Sequence, residues 1–98
     1  MKIIFDALAK KEYDDAIEYY NLEIAGLGSK FDEEIKIGLD NIKKYPEIGS
    51  KVKGDVRKYI INKFPYKILY SIEDGYIYIL AIAHNHRKPN YWIERDEI

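Results

Sequence analysis

Phe64-Pro65-Tyr66-Lys67-Ile68-Leu69-Tyr70, Asp74-Gly75 and Ile79-Leu80-Ala81-Ile82-Ala83-His84-Asn85-His86-Arg87-Lys88-Pro89-Asn90-Tyr91-Trp92 make up the stretch that decides the fold. Two runs rich in Tyr and Ile flank an Asp-Gly pair, a strong signal for a two-residue hairpin because both residues tolerate the positive φ of a type I′ turn. Such a turn pairs Glu73 with Tyr76, Ile72 with Ile77, Tyr70 with Ile79, Leu69 with Leu80, Ile68 with Ala81 and Lys67 with Ile82. Alternation then sends Tyr66, Ile68, Tyr70, Ile72, Ile77, Ile79, Ala81 and Ala83 to one face, suited to packing under helices. Lys67, Leu69, Ser71, Glu73, Tyr76, Tyr78, Leu80 and Ile82 go to the other, a mixed, half-wet face expected to be covered by a partner. The second strand runs straight into His84, His86, Arg87, Lys88, Tyr91 and Trp92, which places functional groups at the end of a rigid element.

Working outward, Val56 to Ile61 reads as a further strand and Ile48-Gly49-Ser50 as a turn-like linker. Before Pro46 the period becomes helical. Phe31, Ile35, Leu39, Ile42 and Tyr45 mark one amphipathic helix that Pro46 ends, with Ser29 and Asp32 resembling a capping box at its start. Leu8, Tyr13, Ala16, Ile17, Tyr20, Ile24 and Leu27 mark another, capped by Asp6 and closed near Gly26-Leu27-Gly28. The short connection makes the two helices antiparallel. Lys2-Ile3-Ile4-Phe5 opens the chain as a short strand. The expected fold is therefore α+β, in the order β-α-α-β-β-β: a short N-terminal strand and a helical hairpin packed on an antiparallel sheet, with a short C-terminal helix or tail. One domain is expected over residues 1–98.

A chain of 98 residues buries roughly 60 to 68% of its unfolded surface, so a single modest core must hold it. No cysteine is present, which removes disulfides and thiolate metal sites. No apolar run approaches a membrane span and no basic leader opens the chain, so a soluble, cytoplasmic protein with no membrane partner is expected. The net charge of −1 conceals an asymmetry. Residues 1–50 hold seven Lys against eleven acids, while residues 51–98 hold nine Lys or Arg against six. Lys51, Lys53, Arg57, Lys58, Lys63 and Lys67 are opposed only by Asp55, and such a patch either attracts phosphates or an acidic partner, or guards a strand edge.

The order of elements resembles the RelE/ParE superfamily of toxins from type II toxin-antitoxin modules, nearer to its ParE-like, plasmid-stabilisation branch. The likeness lies in Asn41 to Gly49, in Val56-Arg57-Lys58-Tyr59, in Phe64 to Tyr70 and in Ala81 to Trp92. It implies a toxin that inhibits growth and is neutralised by a cognate antitoxin, in a possible toxin-antitoxin hetero-oligomer. Two mechanisms follow: poisoning of DNA gyrase, which the modest basic charge favours, or ribosome-dependent cleavage of mRNA. A third reading is a small interaction domain without toxicity. If the chain is an enzyme, the resemblance implies a metal-independent endoribonuclease.

Cleavage needs a base for the ribose hydroxyl, cations for the phosphate and an acid for the leaving oxygen. The candidates are His84 or His86, Arg57, Lys67, Arg87 and Tyr91. For binding alone the set is Arg57, Lys67, Tyr78, Arg87, Lys88, Tyr91 and Trp92. Each has a plainer role: His84 as a structural histidine, His86 as a surface one, Arg57 and Arg87 as turn-flanking charges, Tyr91 and Trp92 as packing aromatics. Two histidines at i and i+2 without a nearby carboxylate make a poor metal motif, and no metal or cofactor is expected.

Overall fold

The computed structural model describes residues 1–96; residues 97 and 98, part of the domain expected over 1–98, lie outside the described residues. The elements are β1 (Lys2–Phe5), α1 (Ala7–Glu23), α2 (Leu27–Lys44), a 3-10 turn (Pro46–Ile48), β2 (Ser50–Lys53), β3 (Val56–Ile60), β4 (Tyr66–Ile72), β5 (Tyr76–His84) and a second 3-10 turn (Ile93–Asp96). The strands form one sheet in the order β1-β5-β4-β3-β2. Strand β1 lies parallel to β5, and the other neighbours are antiparallel. A parallel pair needs a crossover, which the α1–α2 hairpin supplies while covering one face.

The α+β architecture matches the sequence expectation, with three differences in detail. Ser50–Lys53 forms an edge strand where no strand was expected, beginning on the last residue of the expected Ile48-Gly49-Ser50 linker. It is exposed along its whole length, carries Lys51 and Lys53 and is broken by a register shift, features that protect an edge from pairing with other chains. Helix α2 starts at Leu27, two residues before Ser29, so the expected capping box does not form. Gly26 takes a φ of 86° ahead of it, and Asn21 Oδ1 accepts the Gly28 N–H at 2.8 Å. A Cβ at Gly28 would collide with the Ile17 carbonyl, so glycine lets the hairpin close tightly. At the far end of α2, Tyr45 is exposed rather than buried.

The third difference changes which residues share a face. The hairpin keeps the expected register at Ile72–Ile77 and Tyr70–Ile79, but only Gly75, at a φ of 84°, takes a positive φ, so the turn is not the expected type I′. A β-bulge then inserts Leu80, and the pairing continues as Leu69–Ala81, Ile68–Ile82, Lys67–Ala83 and Tyr66–His84. Parity reverses beyond the bulge. Ile82 therefore joins the helix-side core with Phe31, Ile35, Ile42, Ile68, Tyr70, Ile77 and Ile79. Ala81 and Ala83 instead join Val56, Leu69, Leu80 and Trp92 on the outer face. The exchange places the larger aliphatic under the helices and leaves space for the indole outside. The outer face is thus partly covered by the chain's own C-terminal segment.

The bulge sits where β1 stops accompanying β5, after Phe5–Ile79. The edge groups of β5 that β1 leaves free are taken up by side chains. Glu12 Oε1 accepts the Ile82 N–H at 3.1 Å, and Arg95 Nη1 donates to the Leu80 carbonyl at 3.2 Å. Glu12 and Arg95 also pair with each other at 2.8 Å, both largely shielded from water. A buried backbone group without a partner is costly, and this ion pair stands in for a missing strand.

A cationic pocket on the outer face of the sheet

Strand parity decides which basic side chains meet. Lys58 is paired with Leu69, and Lys67 with Ile60 and Ala83, so both stand on the outer face of adjacent strands. After β5 the chain turns back across that face. The Arg87 N–H bonds to the His84 carbonyl at 3.0 Å and the Asn85 N–H to the Pro65 carbonyl at 2.8 Å, while Asn90 takes a φ of 64°. Trp92 is buried on Leu69, Ala81 and Ala83, and the Tyr91 hydroxyl donates to Glu12 Oε2 at 2.8 Å. These anchors hold Arg87 and Lys88 beside the strand lysines.

The result is a cavity of about 180 Å³ whose wall includes Lys58, Lys67, Arg87 and Lys88, with Val52, Leu69, Pro89, Asn90, Tyr91 and Trp92 completing it. The Arg87 guanidinium lies over the Tyr91 ring, 3.9 Å from its centre, within range of a cation–π attraction. Among the described residues, ion pairs involve Lys10, Lys11, Lys36, Lys63 and Arg95. None involves the four cations of the pocket. Lys58 and Lys67 are half-buried.

Of the residues expected from sequence to bind, Lys67, Arg87, Lys88, Tyr91 and Trp92 come together here. Arg57 does not. It occupies the helix-side face of β3, where Nη1 donates to the Gly49 carbonyl at 2.7 Å and the Glu47 carbonyl at 3.2 Å. Beside it the Tyr70 hydroxyl accepts the Gly49 N–H and donates to the Pro46 carbonyl at 2.6 Å. A Cβ at Gly49 would lie 2.6 Å from the Lys58 carbonyl, so Arg57 serves a tightly closed edge. Tyr78 is also elsewhere, donating to Asp6 Oδ1 at 2.9 Å beneath the cap of α1. Burial first, and then the Asp6 carboxylate, push its phenol up to about 12.

The histidines stand across the rim. His84 is paired with Tyr66 and packs edge-on against its ring at 5.1 Å, and its Nδ1 accepts the His86 N–H at 3.1 Å. His84 lines a separate, more open depression with Glu12, Asp15, Tyr19 and Tyr66; Arg87 borders both cavities. The Tyr91 phenol is held protonated, raised well above its usual value by burial and then by Glu12. Among the described residues no group of three or more His, Asp or Glu could hold a metal ion, and no helix is long and apolar enough to cross a membrane.

Glu12 and Arg95 were not singled out from sequence, and Lys58 was named only within the basic patch of residues 51–67 and not among the site residues. Lys58 had a signal: it neighbours Arg57 in a strand, so one of the two must face away from the helices. The meeting of Glu12 with Arg95, across 83 positions, follows only from the packed tail.

A solved structure described as "Chromosomal ParDE TA system from P. aeruginosa" is similar in fold. The two superpose with a TM-score of 0.75 over 86% of this chain and 95% of that one, at 17% identity. This defines the class of fold. The family model described as "ParE toxin of type II toxin-antitoxin system, parDE" matches residues 3–89, and the chain belongs to that family. No protein of curated function matches it at a significant level.

Proposed function

We propose that this chain, acting as one domain in the cytoplasm, arrests growth by binding DNA gyrase without cutting nucleic acid, and that a cognate antitoxin neutralises it in a hetero-oligomer. The supporting observation is the separation of the groups that cleavage would need to bring together. A ribonuclease site puts a proton acceptor, a proton donor and phosphate-binding cations around one bond. Here the Tyr91 hydroxyl is committed to Glu12 and Arg57 to backbone carbonyls. Neither histidine lines the cavity that holds Lys58 and Lys67. That leaves a cationic surface suited to holding something rather than to proton transfer. The partner expectation is supported by family membership and by the ParDE system that the similar structure represents. Supercoiling by purified gyrase, titrated with the toxin, tests the reading. Inhibition that the antitoxin reverses is expected, and uninhibited gyrase at stoichiometric excess of toxin removes it.

One observation favours testing the endoribonuclease reading beside it: Arg87 borders both the cationic cavity and the depression lined by His84. That reading requires cuts in ribosome-bound message that vanish in His86→Ala. Intact message in arrested cells eliminates it.

A further inference from the structure

We infer that the corner between α2 and β2 is a contact surface for a second copy of this chain, with Tyr45, Ile48 and Ile72 at its apolar centre and Lys44 of each copy facing Glu47 of the other across a two-fold axis. This goes beyond the gyrase reading and does not rest on it. The corner lies within Asn41 to Gly49, a stretch that the proposed function leaves unused.

Exposed apolar side chains are ordinary when scattered singly. Here Tyr45, 66% exposed, and Ile48, 49% exposed, stand with Pro46 and Ile72 around one depression of about 520 Å³. The corner is also rigid. The Tyr70 hydroxyl accepts the Gly49 N–H at 2.9 Å and donates to the Pro46 carbonyl at 2.6 Å, while the Arg57 guanidinium donates to the Glu47 and Gly49 carbonyls. A buried phenol on β4 and an arginine on β3 thus fix the backbone that carries the exposed tyrosine. Little conformational freedom is left to lose when a partner docks.

Charge selects the occupant. Lys44 and Glu47 border the same depression, and among the described residues neither forms an ion pair within the chain. A two-fold contact apposes a patch to itself, so that residue i of one copy meets residue j of the other, and the reverse. One cation and one anion flanking an apolar centre satisfy that rule twice over. Shape agrees, because the patch carries a projecting ring beside a hollow. The exposed apolar group on α1, Tyr19 and Leu22, shares its hollow with two acids, Asp15 and Glu18, and with no base. Two copies docked there would bring like charges together. Six lining residues a side are far fewer than the roughly 20–30 of a standard interface, so the dimer is a weak one, with a dissociation constant on the order of 100 μM.

Sedimentation velocity of the full chain, at concentrations from well below to well above that constant, tests the inference. Wild type should pass from the mass of one chain toward that of two, and Tyr45→Ser/Ile48→Ser should stay monomeric. Lys44→Glu and Glu47→Lys should each weaken association at least about tenfold, because each apposes like charges at two places. Mixed in equal amounts, these two variants should associate like wild type, since each supplies the charge that the other lacks. Only a two-fold contact between copies predicts that rescue. Leu22→Ser should associate like wild type, and circular dichroism confirms the folding of every variant. The inference is overturned if wild type remains monomeric throughout, if Tyr45→Ser/Ile48→Ser associates like wild type, if the mixed charge variants associate no better than either alone, or if Leu22→Ser abolishes association. Supercoiling inhibition is a separate readout, so the gyrase reading and this one fail independently.

Discussion

The two faces of the sheet are closed by different means. Beneath α1 and α2, Phe31, Ile35, Ile42, Ile68, Tyr70, Ile77, Ile79 and Ile82 are buried in a continuous apolar layer. On the outer face the returning C-terminal segment seats Trp92 on a smaller cluster of Val56, Leu69, Leu80, Ala81 and Ala83, with Lys58 and Lys67 beside it. Apolar burial is the main source of folding free energy, so the helix face holds the stability. The outer face is stabilised less and carries uncompensated charge, as expected of a surface kept for a ligand.

The sharpest way to break that contrast is to cut into each face equally. Phe31 is fully buried, with rings of Tyr20, Phe64 and Tyr66 within 5.4 Å. Phe31→Ala should cost about 4–5 kcal/mol in urea unfolding, and Trp92→Ala a smaller amount, about 3 kcal/mol, the low end of the range for such a truncation. Equal costs would show that the tail is as much core as the helices are.

Next in size is the clasp that ties the faces together. Glu12→Gln keeps the shape of the side chain but leaves the Arg95 guanidinium without its counter-charge, and should cost about 1–3 kcal/mol. Adding Arg95→Gln should cost less than the sum of the single changes, because the pair acts as a unit. Hydrogen exchange at the Ile82 amide, which bonds to Glu12, should speed up in both. Strict additivity would mean that the ion pair is incidental.

A subtler contrast concerns alkaline pH. Burial, followed by bonds to Asp32, Asp6 and Glu12, raises the phenols of Tyr13, Tyr78 and Tyr91, that of Tyr78 to about 12. A group raised on folding contributes stability that is complete below its unfolded value of about 10 and is lost as pH climbs through the folded value. Wild type should therefore weaken steadily above pH 10, and Tyr78→Phe should flatten part of that slope between about pH 10 and 12. A slope unchanged in Tyr78→Phe denies the phenol its role. The smallest effect expected is at Lys67, where Lys67→Ser should leave stability within about 0.5 kcal/mol of wild type, or raise it, because no carboxylate partner is removed. A clear drop in stability would reveal a structural role for this lysine.

Much of the fold was legible because its strongest local signals agree with the tertiary outcome. The Asp74-Gly75 turn, the Asp6 cap and the stop at Pro46 all lie where simple chemistry places them. What escaped was non-local. Strand β2 is short, charged and exposed, so it has no alternating apolar pattern, and its pairing with β3 defines it. The bulge at Leu80 is invisible in a run of consecutive apolar residues, yet it decides whether Ile82 or the alanines face the helices. For the site, the clustering of Lys67, Arg87, Lys88, Tyr91 and Trp92 follows from their place at one end of the hairpin. Arg57 was misplaced beside them because a strand sends neighbouring side chains to opposite faces, and Lys58 holds the position expected of it.

The central claim is that the outer-face lysines, and not the histidines at the rim, carry the toxin's effect on its target. Inhibition of gyrase supercoiling by wild type, His84→Ala/His86→Ala and Lys58→Ser/Lys67→Ser, each confirmed as folded, tests it directly. The account predicts that the histidine variant inhibits like wild type while the lysine variant loses inhibition. Full inhibition by the lysine variant, with loss in the histidine variant, would contradict it.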